Sequence, residues 1–130
     1  MFSNKKDLAL LILRLTFGGL MLINHGWGKM QKILAGGEIE FADPFGIGAA
    51  TSLYLTVFAE VICAALIIIG FFTRWATLPL IFTMLVAIFV IHWSDPFGDK
   101  EMAILYLMPY IALYLMGAGR YSVDGQMGRL

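Results

Sequence analysis

Cysteine is nearly absent from this chain of 130 residues, Cys63 being the single copy. One thiol can form neither an internal disulfide nor a CxxC redox or zinc motif, and Cys63 reads as a small packing residue. Charge is scarce too. Asp, Glu, Lys and Arg make up 14% of the chain, the formal net charge is zero, and no basic run interleaves with aromatics. Nothing therefore points to a nucleic-acid partner. There is no GxSxG, no Walker sequence, no HExxH and no paired-carboxylate soluble site, so hydrolase and kinase readings have no support. Gly26-Trp27-Gly28 is no nucleotide loop.

What is plentiful is apolar surface. Hydrophobic residues reach 60%, against roughly half in a soluble domain, and a water-soluble fold of this size could not hide them. The few charges gather at Lys5–Asp7, Lys29–Asp43, Arg74, Asp95–Glu101 and Arg120–Arg129, and between them lie blocks long enough for a bilayer core. The expectation is an all-α membrane protein, a single four-helix domain with spans at about 8–27, 49–72, 75–93 and 102–118 and an outer loop at 28–48. No small-residue cleavage site follows Lys5-Lys6, so the first block reads as a retained helix. The second and third blocks are separated only by Gly70-Phe71-Phe72-Thr73-Arg74, a tight hairpin, and Pro109 predicts a kink in the fourth.

Lys and Arg favour the cytoplasmic side of short loops. Lys5, Lys6, Arg74, Arg120 and Arg129 fall on one side, and only Lys29, Lys32 and Lys100 on the other, which makes both termini cytoplasmic. The loop Phe41-Ala42-Asp43-Pro44-Phe45-Gly46-Ile47-Gly48 is too apolar for a solvated linker and too broken for a span. It is expected to fold back over the bundle as a lid.

Glu60 falls about 16 Å into the second block at helical rise, near the bilayer midplane. A lone carboxylate there costs a few kcal/mol, so it should face the interior and have a partner. Arg14 on the first helix is the expected partner, an ion pair that either fixes helix register or serves function. Spacing at 100° per residue puts Arg14, Gly18, Met21, His25 and Lys29 on one stripe, and Tyr106, Tyr110 and Tyr114 on another. His25 and His92 should reach similar depth at the outer side with Asp43, Asp95 and Glu101. Those residue types suit proton exchange or metal ligation, with interfacial hydrogen bonding as the structural alternative.

Arg14-Leu15 with Gly18, His25-Gly26-x-Gly28-Lys29, Ala59-Glu60, Gly70 to Arg74, Ala87 and His92, and Gly117-Ala118-Gly119-Arg120-Tyr121-Ser122-Val123-Asp124 together resemble the DoxX family of small bacterial inner-membrane proteins. The resemblance implies a four-helix, multi-pass protein of the bacterial inner membrane. It also implies a link to redox work, as a small subunit of quinol-oxidising or thiosulfate:quinone-reducing systems or a partner of detoxifying enzymes. From residues and resemblance together, the expected function is a redox-linked membrane subunit binding a quinone. Catalytic candidates are Glu60, Arg14 and His25, and cofactor-binding candidates are Arg14, His25, Lys29, Glu60, His92, Glu101, Tyr106 and Tyr110. Haem, or a metal ion on His25, His92 and Glu101, is the minor alternative. Arg74, Asp124, Gly18 and Gly70 are expected to be structural, with Asp124 meeting Arg74. The partners expected are the lipid bilayer and either a protein partner or further copies of the chain. A non-enzymatic scaffold or assembly factor is the competing function, followed by a small-solute transporter.

Overall fold

Apolar blocks with no backbone partner in lipid must satisfy their own hydrogen bonds, and the chain does so as helices. A computed structural model describes residues 2–128, with side chains from residue 4; it is all-helical, with no strand among the described residues. The long elements are α1 (Asn4–Ala35), α2 (Ala49–Ile69), α3 (Thr73–Ile91) and α4 (Phe97–Met116), followed by one short turn of helix, α5 (Val123–Gln126). Among the described residues, α1, α2 and α3 are long and apolar enough to cross a membrane. In α4 the first turn carries Asp99, Lys100 and Glu101, so its uncharged stretch begins only at Met102.

The first helix is longer than expected. It runs past Trp27 to Ala35 before Gly36 and Gly37, both at positive φ, end it. Lys29 and Lys32 therefore sit on the helix, and the outer loop shrinks to residues 36–48. Arg129, counted above with the inner-side charges, lies outside the described residues.

Helices α1 and α2 touch through glycine. A Cβ on Gly18 would stand 2.9 Å from Ile68 and 3.1 Å from the Ala64 carbonyl oxygen, so the close approach requires its absence. Arg14, Met21 and Gly26 are buried along the same side of α1. Helix α3 packs along α4, and Tyr110 on α4 closes the bundle by donating to the Phe17 carbonyl of α1 at 3.0 Å. Parts of α1, α2 and α3 are π-helical: Arg14–Gly18, Leu22–Gly26, Phe58–Cys63 and Ala87–Ile91. Three of these hold Arg14, His25 and Glu60, the polar residues embedded in the spans, in keeping with the frequent placement of π-turns at such sites.

One end of the bundle is knotted together by polar contacts. Arg14, 1% exposed, donates Nε to the Ala118 carbonyl at 3.0 Å, Nη1 to the Ile67 and Ile68 carbonyls at 3.3 and 2.9 Å, and Nη2 to the Tyr121 carbonyl. It thus serves the C-terminal end of α2 and the chain just after α4 at once, supplying donors to carbonyls near the helix ends, of which Ile67 also accepts the Gly70 N–H. Gly70, at φ 73, ends α2: its own N–H reaches Ile67 and that of Phe71 reaches Leu66. A side chain at Gly70 would collide with Ser122 and the Arg14 guanidinium.

Asp124 caps the next helix from across the chain. Its two carboxylate oxygens accept the N–H groups of Phe72 and Thr73 at 2.9 Å each, and its own N–H donates to the Gly70 carbonyl at 2.8 Å. That carboxylate sits at the positive N-terminal end of α3 and holds Phe72 at φ 49, a left-handed conformation that a phenylalanine adopts only under external constraint. The expected Asp124–Arg74 contact is replaced. Backbone donors outcompete the guanidinium for Asp124, and Arg74 turns instead to the Leu115 carbonyl at 3.5 Å. Asp7 adds a further tie, accepting the Arg120 N–H at 3.1 Å.

Replacing Arg14 by Met should orphan these carbonyls and lower stability by on the order of 3 kcal/mol, with Arg14→Lys intermediate because one ammonium cannot span four acceptors. Thermal unfolding in detergent measures it; an Arg14→Met protein as stable as the parent would remove Arg14 from this role.

Candidate functional site

Glu60 is 3% exposed, and its partner is Lys29, whose Nζ lies 2.6 Å from Oε1. The expected Arg14–Glu60 pair does not form. Arg14 is occupied at Ile67 and Ile68, about two turns or ~11 Å further along α2 than Glu60, and the extension of α1 to Ala35 brings Lys29 over the carboxylate instead. The stretch from Lys29 to Ala35, with neither glycine nor proline before Gly36-Gly37, was the signal for this partner. Gly26 makes the pairing possible: a Cβ there would lie 2.4 Å from the Glu60 carbonyl oxygen, so α1 and α2 meet backbone to backbone at this level.

Beside the pair, a cavity of about 540 Å³ opens between α2 and α3. Its walls are mostly apolar: Leu55, Phe58 and Ala59 from α2, Phe82, Val86 and Ile91 from α3. Polar groups are few, namely Lys29 and Glu60, the hydroxyl-bearing Ser52, Thr56 and Thr83, and His92 at the end of α3. Thr56 and Thr83 return their own hydroxyls to helix carbonyls at Ser52 and Pro79.

The outer loop closes one side of this space. Phe41, Ala42, Pro44, Phe45 and Ile47 line it, and the Phe45 ring stacks on Phe82 of α3 with centroids 6.0 Å apart. Asp43 fastens the loop to the start of α2, accepting from the Gly48 N–H at 2.9 Å, the Ile47 N–H at 3.0 Å and the Ser52 hydroxyl at 3.0 Å. The Gly48 hydrogen bond above all, opposed by desolvation and helped by smaller contributions from Ser52, Ile47 and Gly46, holds the Asp43 carboxyl below its usual range.

Of the residues expected to bind a cofactor, Lys29, Glu60 and His92 meet at this cavity. The others are elsewhere. His25 packs edge-on against Tyr106, with ring centroids 5.2 Å apart, Tyr106 stacks on Tyr110 at 6.1 Å, and Phe17 closes the group at 5.8 Å. The space between α1 and α4 is thus filled by rings rather than open. Tyr114 leaves the stripe and is 41% exposed, because each step of four residues turns about 40°, and two steps carry it out of the interior. Glu101 is exposed near the start of α4. His92 bonds Asp95 at 2.8 Å rather than meeting His25, and no group of three or more potential metal ligands occurs among the described residues. Ser52, Thr56 and Thr83 carried no sequence signal, since an isolated hydroxyl in an apolar helix is usually bonded to its own backbone.

A family model described as DoxX matches residues 9–93, well over half of the chain, a stretch that includes Lys29, Glu60 and His92. No curated protein and no solved structure matches.

Gly26→Ala should force α1 and α2 apart, at a cost of about 1–3 kcal/mol. Gly28→Ala, whose Cβ would meet nothing within 4 Å, is the matched control, and equal unfolding temperatures for the two variants would contradict the close approach. The loop clasp has a defined pH dependence. Because Asp43 titrates lower when clasped than when free, the clasp contributes fully above about pH 4 and fades as pH falls through the lowered value. Asp43→Ala should therefore speed amide exchange at Ile47 and Gly48 at neutral pH, and unchanged exchange there would show that Asp43 does not hold the loop.

Proposed function

The chain belongs to the DoxX family, and from that premise we propose that it is a membrane subunit of a redox system whose bundle binds a quinone or a similar small hydrophobic molecule. In this reading four helices cross the bacterial inner membrane, α4 included, with both termini cytoplasmic and the chain linked to electron transfer or oxidative-stress defence. The observation that carries the proposal is the cavity of about 540 Å³, apolar along its walls and bounded by buried Glu60 paired to half-buried Lys29.

The fit is chemical. An apolar body suits Leu55, Phe58, Phe82 and Val86, while a carbonyl or hydroxyl head needs a donor and an acceptor, which Lys29 and Glu60 supply at one wall. A quinone, when bound, would supply two-electron chemistry coupled to protons. The chain's own contribution is positioning and proton handling. Glu60 can take or hold a proton beside the head group, Lys29 keeps that carboxylate from standing as an isolated charge in an apolar wall, and His92 with Asp95 provides a second titratable pair at the cavity rim. The loop 41–47 shields this wall from water.

The experiment is quinone binding to the purified protein. Wild type should retain quinone through mild-detergent purification, Glu60→Gln should weaken binding about tenfold, equivalent to about 1.4 kcal/mol, and Thr83→Trp, which fills the cavity, should abolish it. Binding unchanged in both variants would place any quinone elsewhere, and quinone-free protein from quinone-replete membranes would favour the scaffold.

A further inference from the structure

At the end of the bundle opposite the cavity, a second groove of about 370 Å³ lies between α3 and α4, lined by Arg74, Trp75, Leu78, Tyr114 and Leu115. The combination is one guanidinium, two aromatic rings with polar edges, and two leucines. Rings of that kind settle at the boundary between hydrocarbon and headgroups.

Arg74 has no acidic partner among the described residues, and unlike Arg14 it is not enclosed by backbone carbonyls. Among the described residues no carboxylate oxygen lies within 4.0 Å of it. The two acids of this end are committed elsewhere, Asp124 to the Phe72 and Thr73 N–H groups and Asp7 to Arg120. Among the described residues the Arg74 guanidinium makes one hydrogen bond, to the Leu115 carbonyl, 3.5 Å long and at the outer limit for such a bond, and the residue is exposed. Behind it, Gly117 leaves room for the guanidinium to lie across the end of α4, with Nη2 3.3 Å and Nε 3.4 Å from where a Cβ would stand. At the other end of the bundle the comparable cation, Lys100, already sits 5.0 Å from the centroid of the Trp93 ring.

Trp75 is 73% exposed and Leu115 69%. Facing water these would be an unfavourable pair; facing acyl chains beneath a phosphate they are well placed. We propose that this groove binds an anionic phospholipid, its phosphate taken by Arg74 through the paired N–H donors that a guanidinium offers to phosphate oxygens, with Trp75 and Tyr114 beside the headgroup and an acyl chain along Leu78 and Leu115. Lys5 and Lys6, both exposed at the same end, add attraction toward an anionic leaflet. This inference is independent of what fills the cavity by Glu60.

The test is lipid retention by the full chain. Native mass spectrometry after equilibration with equal amounts of phosphatidylglycerol and phosphatidylcholine should show the anionic lipid retained about tenfold more. Arg74→Gln should bring the two to parity, Arg74→Lys should keep part of the preference, and Lys100→Gln should leave it intact. Leu78→Trp, which fills the groove while leaving Arg74 in place, should also abolish it, so the proposal stays open to refutation even if Arg74→Gln fails to fold. Equal retention by wild type, or a preference surviving both Arg74→Gln and Leu78→Trp, would overturn the site. Displacement of the bound lipid by millimolar inorganic phosphate would overturn its assignment to a lipid, since the chain contacts would then contribute nothing.

Discussion

A single guanidinium sets the geometry of the bundle. Arg14 is buried at 1% exposure and donates to four carbonyls, two ending α2 and two in the segment that follows α4. Burying a charge is tolerable only when its donors are matched, and here the acceptors are carbonyls close to the helix termini, where intrahelical donors run out. One residue therefore meets two deficits, its own desolvation and the orphaned helix ends. The position of α2 against α1 follows from it. So does the fold of the tail, because Ala118 and Tyr121 must stay where the guanidinium can reach them.

Asp124 does the complementary work with opposite charge. Its carboxylate caps α3 while its own N–H reaches the Gly70 carbonyl, so the tail is bound to the α2–α3 hairpin from both directions. This end of the molecule is closed, with the Thr73 hydroxyl buried in it. The other end is built differently, with the Lys29–Glu60 and His92–Asp95 pairs, an apolar cavity and a loop held by Asp43. One end is thus tied by hydrogen bonds between side chains and backbone, and the other leaves a space covered by the loop.

The polar residues within the spans divide by what surrounds them. Arg14 meets only backbone, and its role is architectural. Glu60 meets Lys29 at the wall of the cavity. His25, Tyr106 and Tyr110 meet one another's rings and fill the interior between α1 and α4. Residues of similar character in the sequence thus end in three different settings.

Hydropathy and charge placement by themselves determined the helical class, the three helices long and apolar enough to cross a membrane, the tight hairpin at Gly70 and the inward side of α1, because each depends on local composition or on a period of 3.6 residues. The apolar loop before α2 was legible as a cover for the same reason: Phe41, Phe45 and Ile47 have no place in water. Partner choice was not legible. Whether Glu60 meets Arg14 or Lys29 depends on how far α1 continues and on a backbone contact at Gly26, and whether Asp124 meets Arg74 or two N–H groups depends on the left-handed turn at Phe72. A helical period gives the direction of a side chain but not its depth relative to a neighbouring helix. The tertiary structure decided that depth, because it is set by where small residues let two backbones touch and where a buried charge finds unpaired carbonyls.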